Sequence, residues 1–262
     1  MRGLFRWLGV TLGLVLVVVG MPAGAGGYEI LEGKGTELCE VCLQNLLRQS
    51  ADEAVCDRQY ASEMGLRKVE WAPLNLVEHT DFLKRMYKLL NLGNESAKGV
   101  FDDPQELKEY VEGGRARSGL PTIVLETAEA DIDQDGTPDR LLRYEQGKCR
   151  RMFGGWDYFY ESALVMLKED GRSVNYTKTK PLVQYPSEGL KGMDYRDAFK
   201  VGIIHYQMYQ VFTYKGTVYF DKWDGGSRPA DTNTLSIYQV DRDRTRRLCQ
   251  FRLFPPDVRP HH

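Results

Sequence analysis

The sequence lacks the short motifs that mark common hydrolase and nucleotide-binding sites. It contains no G-x-S-x-G elbow, no H-E-x-x-H helix and no Walker phosphate loop. Histidine is scarce, at four residues in 262, and only His205 falls on a predicted strand. Glu161 and Asp221 are carboxylates of the kind that perform acid–base work, but nothing in the sequence positions them. The sequence therefore favours a protein without evident catalysis over an enzyme.

A large net charge is also missing. Lys and Arg number 35 and Asp and Glu number 37, so the formal net charge at pH 7 is −2. This balance gives no general reason to expect a nucleic-acid partner. Hydrophobic residues make up 42% of the chain, which is enough to form one large or two small cores. The partner we expect is an unknown protein or a carbohydrate ligand.

The N-terminus has the features of a secretory signal peptide. Arg2 and Arg6 precede an apolar run over residues 8–19, and Ala23-Gly24-Ala25 offers an A-x-A cleavage site. The alternative is an uncleaved membrane anchor, although the run is short for a membrane span. We predict that residues 1–25 are removed, which leaves no stable membrane span and a periplasmic or secreted protein.

Five cysteines in an exported chain predict disulfides with one thiol left over. The simplest pairing has two bridges. One joins Cys149 to Cys249, and the other is a local bridge among the three cysteines near the N-terminus. For the local bridge, Cys39–Cys56 with Cys42 free is favoured, and Cys42–Cys56 is almost equally compatible with the spacing. The C-x-x-C pair Cys39 and Cys42 is a weak signal, because no second pair completes a zinc site.

The most specific signal is an acidic loop over residues 131–139, which reads Asp-Ile-Asp-Gln-Asp-Gly-Thr-Pro-Asp. Its carboxylates occupy loop positions 1, 3, 5 and 9, namely Asp131, Asp133, Asp135 and Asp139. So many like charges repel one another unless a cation lies among them. Calcium accepts about six to eight oxygen ligands at roughly 2.3–2.6 Å, and the backbone carbonyl of Thr137 is the usual position-7 ligand. Magnesium fits less well, and the loop contains no sulfur or imidazole for zinc.

The flanks of this loop predict a strand–loop–strand unit rather than an EF-hand. Loop position 12 is Leu142, where an EF-hand requires a bidentate Glu. Pro138 and Asp139 followed by an apolar pair resemble the calcium loops of FG-GAP and VCBS repeats, as in integrin-type propellers. The resemblance implies that the four aspartates are side-chain ligands of calcium. The alternative is a solvated acidic turn without a bound ion.

The apolar patterns predict an α+β fold, with a small helical N-terminal region (residues 26–115) and an antiparallel β-rich region (residues 116–262). Helices are expected at residues 36–49 and 80–92 and from Pro104 to Gly113-Gly114, where a polar linker begins. One strand is expected at residues 201–209. Hairpins are expected at residues 211–220 and 235–253.

Aromatic residues crowd the β-rich region, and they have two interpretations. One is a sugar- or peptide-binding face, and the other is ordinary cross-strand packing, which we favour. The residues concerned are Trp156, Tyr158, Phe159, Tyr160, Tyr206, Tyr209, Tyr214, Tyr219 and Trp223.

Three hypotheses for function follow. The leading one is an exported, calcium-stabilised, disulfide-stapled binding or structural protein. The second is a periplasmic inhibitor or immunity-type protein that blocks an enzyme. The third is a calcium-dependent hydrolase that uses His205 or acidic residues.

Overall fold

The structure, a computed structural model, describes residues 27–90, 101–113, 122–151, 158–182, 207–224, 233–242 and 244–254. The predicted signal peptide (residues 1–25), His205, most of the strand expected at residues 201–209 and nearly all of the predicted linker lie outside these ranges. No helix within the described ranges is long and apolar enough to cross a membrane.

Two antiparallel sheets form most of the described structure. The strands are β1 (Gly27–Glu32), β2 (Leu66–Lys68), β3 (Ala72–Pro73), β4 (Ile123–Ala130), β5 (Asp139–Arg151), β6 (Tyr158–Met166), β7 (Gln207–Tyr214), β8 (Thr217–Asp224), β9 (Thr234–Asp241) and β10 (Arg244–Phe254). The larger sheet has the order β1-β10-β9-β8-β7-β2, and the smaller sheet has the order β3-β4-β5-β6. The molecule is thus β-rich with few helices, which is compatible with the α+β prediction.

The two predicted hairpins are confirmed. Strands β7 and β8 pair from Tyr214 and Thr217 outward, across a turn formed by Lys215 and Gly216. Both turn residues have positive φ angles, 51° and 82°, as a two-residue type I′ turn requires. Strands β9 and β10 form the second hairpin, with Arg244 opposite Asp241. The short connections explain why these strands are antiparallel.

The N-terminal region also adds strands to both sheets. Strand β1 pairs with the last strand, β10, so that Gly27 lies opposite Phe254. Strand β2 extends the larger sheet beside β7, and β3 extends the smaller sheet beside β4. Since these three strands are short and largely exposed, their sequences carry little of the apolar alternation that identifies a strand.

The helices are α1 (Glu37–Leu46), α2 (Ala51–Cys56), α3 (Thr80–Leu90), α4 (Pro104–Gly113) and α5 (Tyr176–Thr179). Three of them lie where the sequence predicts helices. Helix α2 was not predicted, although Ser50 and Glu53 form a complete capping box at its start. Helices α1 and α2 pack against the larger sheet, α3 and α4 pack against the smaller one, and a third core lies between the two sheets.

The disulfides differ from both predicted pairings. Cys39 is bonded to Cys249 and Cys56 to Cys149, with Cα–Cα distances of 5.6 and 5.4 Å. The predicted Cys149–Cys249 bridge and the predicted local bridges of Cys56 to Cys39 or Cys42 are therefore wrong. The physical reason is the β1–β10 pairing, which brings α1 next to the last strand. Cys42 is the free, buried thiol, as the favoured interpretation expected.

Candidate metal centre

The acidic loop joins β4 to β5, so the predicted strand–loop–strand unit is confirmed. Leu142, at loop position 12, is a fully buried core residue of β5, which agrees with the absence of an EF-hand. Ile132 points inward from the loop itself and is also fully buried, in the core between the two sheets. Gly136 has a φ of 90°, which provides the sharp bend expected at loop position 6.

The loop is fastened to the larger sheet at the end of β9. The backbone N–H of Arg242 donates to the carbonyl of Asp133 at 2.8 Å. The side chain of Gln134 donates to the carbonyl of Val240 at 3.0 Å and accepts from Gln239 at 3.0 Å. The loop, which joins two strands of the smaller sheet, is therefore also bonded to the larger sheet.

Three loop aspartates each use one carboxylate oxygen to hold the turn. Asp131 accepts from the N–H of Gly136 at 3.0 Å, and Asp133 accepts from the N–H of Asp135 at 3.3 Å. Asp135 accepts from the N–H of Thr137 at 2.8 Å. The second oxygen of each carboxylate is not needed for the turn: that of Asp131 has no hydrogen-bond partner among the described residues, and those of Asp133 and Asp135 face the ammonium of Lys178.

Asp131, Asp133 and Asp139 form a compact acidic cluster, in which ligand oxygens from the three residues lie within 4.8 Å of one another. Asp133 and Asp139 are 4% and 7% exposed. The other two predicted ligands, Asp135 and Thr137, are exposed and lie outside this cluster, although both line the adjoining cleft of about 560 Å³.

Lys178 is a fourth component of the site, and it is not among the residues predicted from the sequence. Its Nζ atom lies 2.9 Å from Asp133, 2.8 Å from Asp139 and 3.5 Å from Asp135. Helix α5 delivers this ammonium, and Asn175 caps the helix by accepting from the N–H of Lys178 at 3.2 Å. Because Lys178 follows Asp139 by 39 residues, no local pattern connects it to the loop.

Burial and the charge of Lys178 shift the pKa of Asp139 in opposite directions. Burial raises the pKa of the Asp139 carboxyl, and the nearby negative charge of Asp133 adds to the rise, whereas Lys178 opposes it. The hydrogen bond to Asp139, together with Asp133, raises the pKa of Lys178 and keeps the ammonium charged at neutral pH. The N–H of Thr137 lowers the pKa of the exposed Asp135 carboxyl.

The unpaired oxygens of the cluster fit a metal ion. Asp131 Oδ1 and Asp139 Oδ2 are both buried, and neither has a hydrogen-bond partner among the described residues. A buried oxygen without a donor is costly, and a cation removes that cost. The atoms that could bind the metal are all oxygens, which suits calcium rather than zinc. The ammonium of Lys178 supplies one positive charge against the four carboxylates of the loop.

Comparison with known proteins gives no family assignment. No protein-family model, curated protein or solved structure matches this chain. The resemblance to FG-GAP and VCBS loops stays a prediction, and it is supported by the loop residues alone.

Of the other candidate residues, Asp221 is described by the structure, and it lies in a different environment from the cluster. Asp221 is 1% exposed and is paired with Arg58, whose Nε donates to it at 2.9 Å, while the Tyr60 hydroxyl also donates to it. This carboxylate is occupied by a buried ion pair between the segment that follows α2 and strand β8 of the larger sheet. His205 and the side chain of Glu161 lie outside what the structure describes.

The aromatic side chains that the structure describes favour packing over a binding face. Tyr209, Tyr214 and Trp223 are buried at 4%, 6% and 0% exposure. Tyr219 is half-buried and stacks on Phe212 with ring centroids 5.6 Å apart. The remaining aromatic side chains of the predicted set lie outside the described part of the chain.

Proposed function

We propose that this chain is an exported, calcium-stabilised, disulfide-stapled binding or structural protein, in which one calcium ion binds the β4–β5 loop. The single observation that supports this most strongly is the pair of buried, unpartnered oxygens on Asp131 and Asp139. Asp131, Asp133 and Asp139 would hold the ion, and Asp135 and the Thr137 carbonyl are the further candidates at the open side.

Lys178 already lies among the loop aspartates. Its ammonium lies between Asp133 and Asp139 and supplies one positive charge where a divalent ion supplies two. Lys178 is 38% exposed and lines the adjoining cleft, so its flexible side chain has space to withdraw. We infer that calcium binds by displacing this ammonium.

Calcium would act as a structural ligand that links the two sheets. The loop contributes Ile132 to the core between the sheets and is hydrogen-bonded to β9 through Asp133 and Gln134. A calcium ion that neutralises the loop carboxylates therefore stabilises the contact between the sheets as well as the turn. No nucleophile lies in the loop, and this favours a structural ion over a catalytic one.

An extracytoplasmic location is supported by the cysteine chemistry. The two disulfides connect residues separated by 210 and 93 positions, and structural disulfides persist in oxidising compartments such as the periplasm. The signal-peptide features of residues 1–25 agree with this location. The hydrolase alternative is weaker, since Asp221 is held in a buried ion pair.

Thermal unfolding in calcium and in a chelator tests the proposal. A ligand that binds only the folded state adds about 2.7 kcal/mol to the unfolding free energy when it is present at about a hundred times its dissociation constant. We expect a higher Tm in calcium for the parent protein and no calcium-dependent shift for the double variant Asp133→Asn with Asp139→Asn. Asp81→Asn, at the start of α3, is the matched control and should retain the shift. Equal Tm values for the parent protein in calcium and in chelator would reject the proposal.

A further inference from the structure

A second concavity lies between α3 and the turn that links β6 to α5. It has a volume of about 300 Å³, which is at the lower end of the range typical of small-molecule sites. Its floor is apolar and is formed by Phe82, Met86 and Val174, which are 3%, 1% and 7% exposed. We call this concavity the basic groove, because the charged side chains that line it are all cationic.

Three cations surround the basic groove, namely Arg85 from α3 and Lys168 and Arg172 from the turn. All three are exposed, and no carboxylate of the described residues forms an ion pair with any of them. Other cations of α3 are paired, since Lys84 and Lys88 both bind Asp102. The groove therefore concentrates positive charge, and the one carboxylate of the turn, Asp170, which interacts electrostatically with Lys168, offsets only part of it.

The turn that presents Lys168 and Arg172 is well fastened. The N–H of Lys168 donates to the carbonyl of Ser173 at 2.8 Å, and a β-bridge joins Leu167 to Val174. Asp170, an acidic residue within the turn, accepts from the N–H groups of Arg172 and Ser173 at 2.8 and 2.9 Å. These bonds direct its carboxylate to the backbone of the turn.

Arg85 connects the two walls of the groove. Its Nη2 atom lies 3.5 Å from the carbonyl oxygen of Arg172, which brings the helix and the turn together at the rim. Three cationic side chains that line one concavity repel one another, and an anion among them relieves that repulsion. Guanidinium groups also match carboxylate and phosphate oxygens through paired hydrogen bonds.

We propose that the basic groove binds a small organic anion, with a carboxylate or phosphate head at the cationic rim and a short apolar tail on the floor. Arg85, Lys168 and Arg172 would contact the head, and Phe82, Met86 and Val174 would contact the tail. This inference is independent of calcium, although Lys168 also lines the cleft beside the acidic loop.

The test is isothermal titration of the oxidised, full mature chain at about 0.15 M salt, in the presence of a chelator so that an anion cannot bind through calcium. The probes are hexanoate, butanoate, hexyl phosphate, inorganic phosphate and hexan-1-ol. We expect saturable binding of hexanoate or hexyl phosphate, and at least about tenfold weaker binding of hexanol and inorganic phosphate. Hexanoate should also bind more tightly than butanoate, because each buried CH₂ contributes about fourfold.

Variants of the rim separate a specific groove from general surface charge. Arg85→Gln and Arg172→Gln should each lower the affinity for the better probe by about fivefold or more, as expected for the loss of a hydrogen bond to a charged group. Arg67→Gln, an exposed arginine on edge strand β2, is the matched control and should bind normally. Lys168→Gln removes the third rim cation and should also weaken binding of that probe. The proposal is overturned if no probe saturates, if inorganic phosphate binds as tightly as hexyl phosphate, or if the rim variants bind like the parent protein.

Discussion

At the scale of single residues, Lys178 contacts Asp133 and Asp139 of the acidic loop, and in the proposed calcium complex its ammonium would compete with the ion. Removing its ammonium as Lys178→Met should raise calcium affinity, since the ion no longer has to displace a bound cation. The same change should destabilise the protein in chelator by about 1 kcal/mol, because Asp133 and Asp139 lose a charged donor. Calcium titration and chelator unfolding of this variant check both effects.

Lys180→Met is the control for that experiment. Lys180 is exposed two residues further along the chain, and its replacement removes the same charge without altering the contacts of Asp133 or Asp139. Both its calcium affinity and its stability in chelator should match those of the parent protein. If Lys178→Met binds calcium no more tightly than Lys180→Met, the competition between ammonium and calcium is refuted.

Tyr60 gives the stability a defined dependence on alkaline pH. Burial raises the pKa of this phenol well above its ordinary value of 10.0, and the negative charge of Asp221 adds to the rise. The folded state therefore keeps the proton when the unfolded chain begins to lose it. The contribution of Tyr60 is fully present below about pH 10, and it decreases by about 1.4 kcal/mol per pH unit as the pH rises towards the folded-state pKa.

Tyr60→Phe should remove this contribution. Above pH 10 the unfolding free energy of the variant should decline less steeply than that of the parent protein, by about 1.4 kcal/mol per pH unit. Denaturant unfolding between pH 9 and pH 11 measures the two slopes. A Cys42→Ala background prevents the free thiol from attacking the disulfides in the unfolded chain. Equal slopes would show that Tyr60 releases its proton in the folded state as readily as in the unfolded state.

At the scale of elements, the disulfides fasten the N-terminal helices to the sheets. The Cys39–Cys249 bridge joins α1 to β10, and the Cys56–Cys149 bridge joins α2 to β5. Proteolysis under non-reducing conditions followed by mass spectrometry should therefore recover peptides linked 39–249 and 56–149, with Cys42 alkylated only after denaturation. A peptide linking Cys149 to Cys249 would contradict this arrangement of the helices.

The elements that local chemistry determines were predictable. The Lys215-Gly216 turn, the Pro104 start of α4 and the loop that ends at Asp139 are each encoded by a few adjacent residues. Each of these features is present as expected. By contrast, α2 is only six residues long, which is too short to show a helical apolar period. The capping box at its start was the one sequence pattern that indicated a helix.

At the scale of the whole molecule, the features that the sequence did not reveal are contacts between distant residues. The pairing of β1 with β10 determines which cysteines meet, and cysteine spacing contains no information about that pairing. The contact of Lys178 with Asp133 and Asp139 depends likewise on where α5 lies beside the loop. Three of the five residues predicted as ligands, Asp131, Asp133 and Asp139, lie together, while the lysine that contacts two of them comes from a separate element.

We propose that calcium replaces the Lys178 ammonium among the loop aspartates. A crystal structure of the protein in saturating calcium, with anomalous scattering used to locate the ion, tests this replacement directly. We expect one ion with oxygens of Asp131, Asp133 and Asp139 at roughly 2.3–2.6 Å, and Lys178 withdrawn into the cleft. A loop without an ion, in which Lys178 still lies between Asp133 and Asp139, would contradict it.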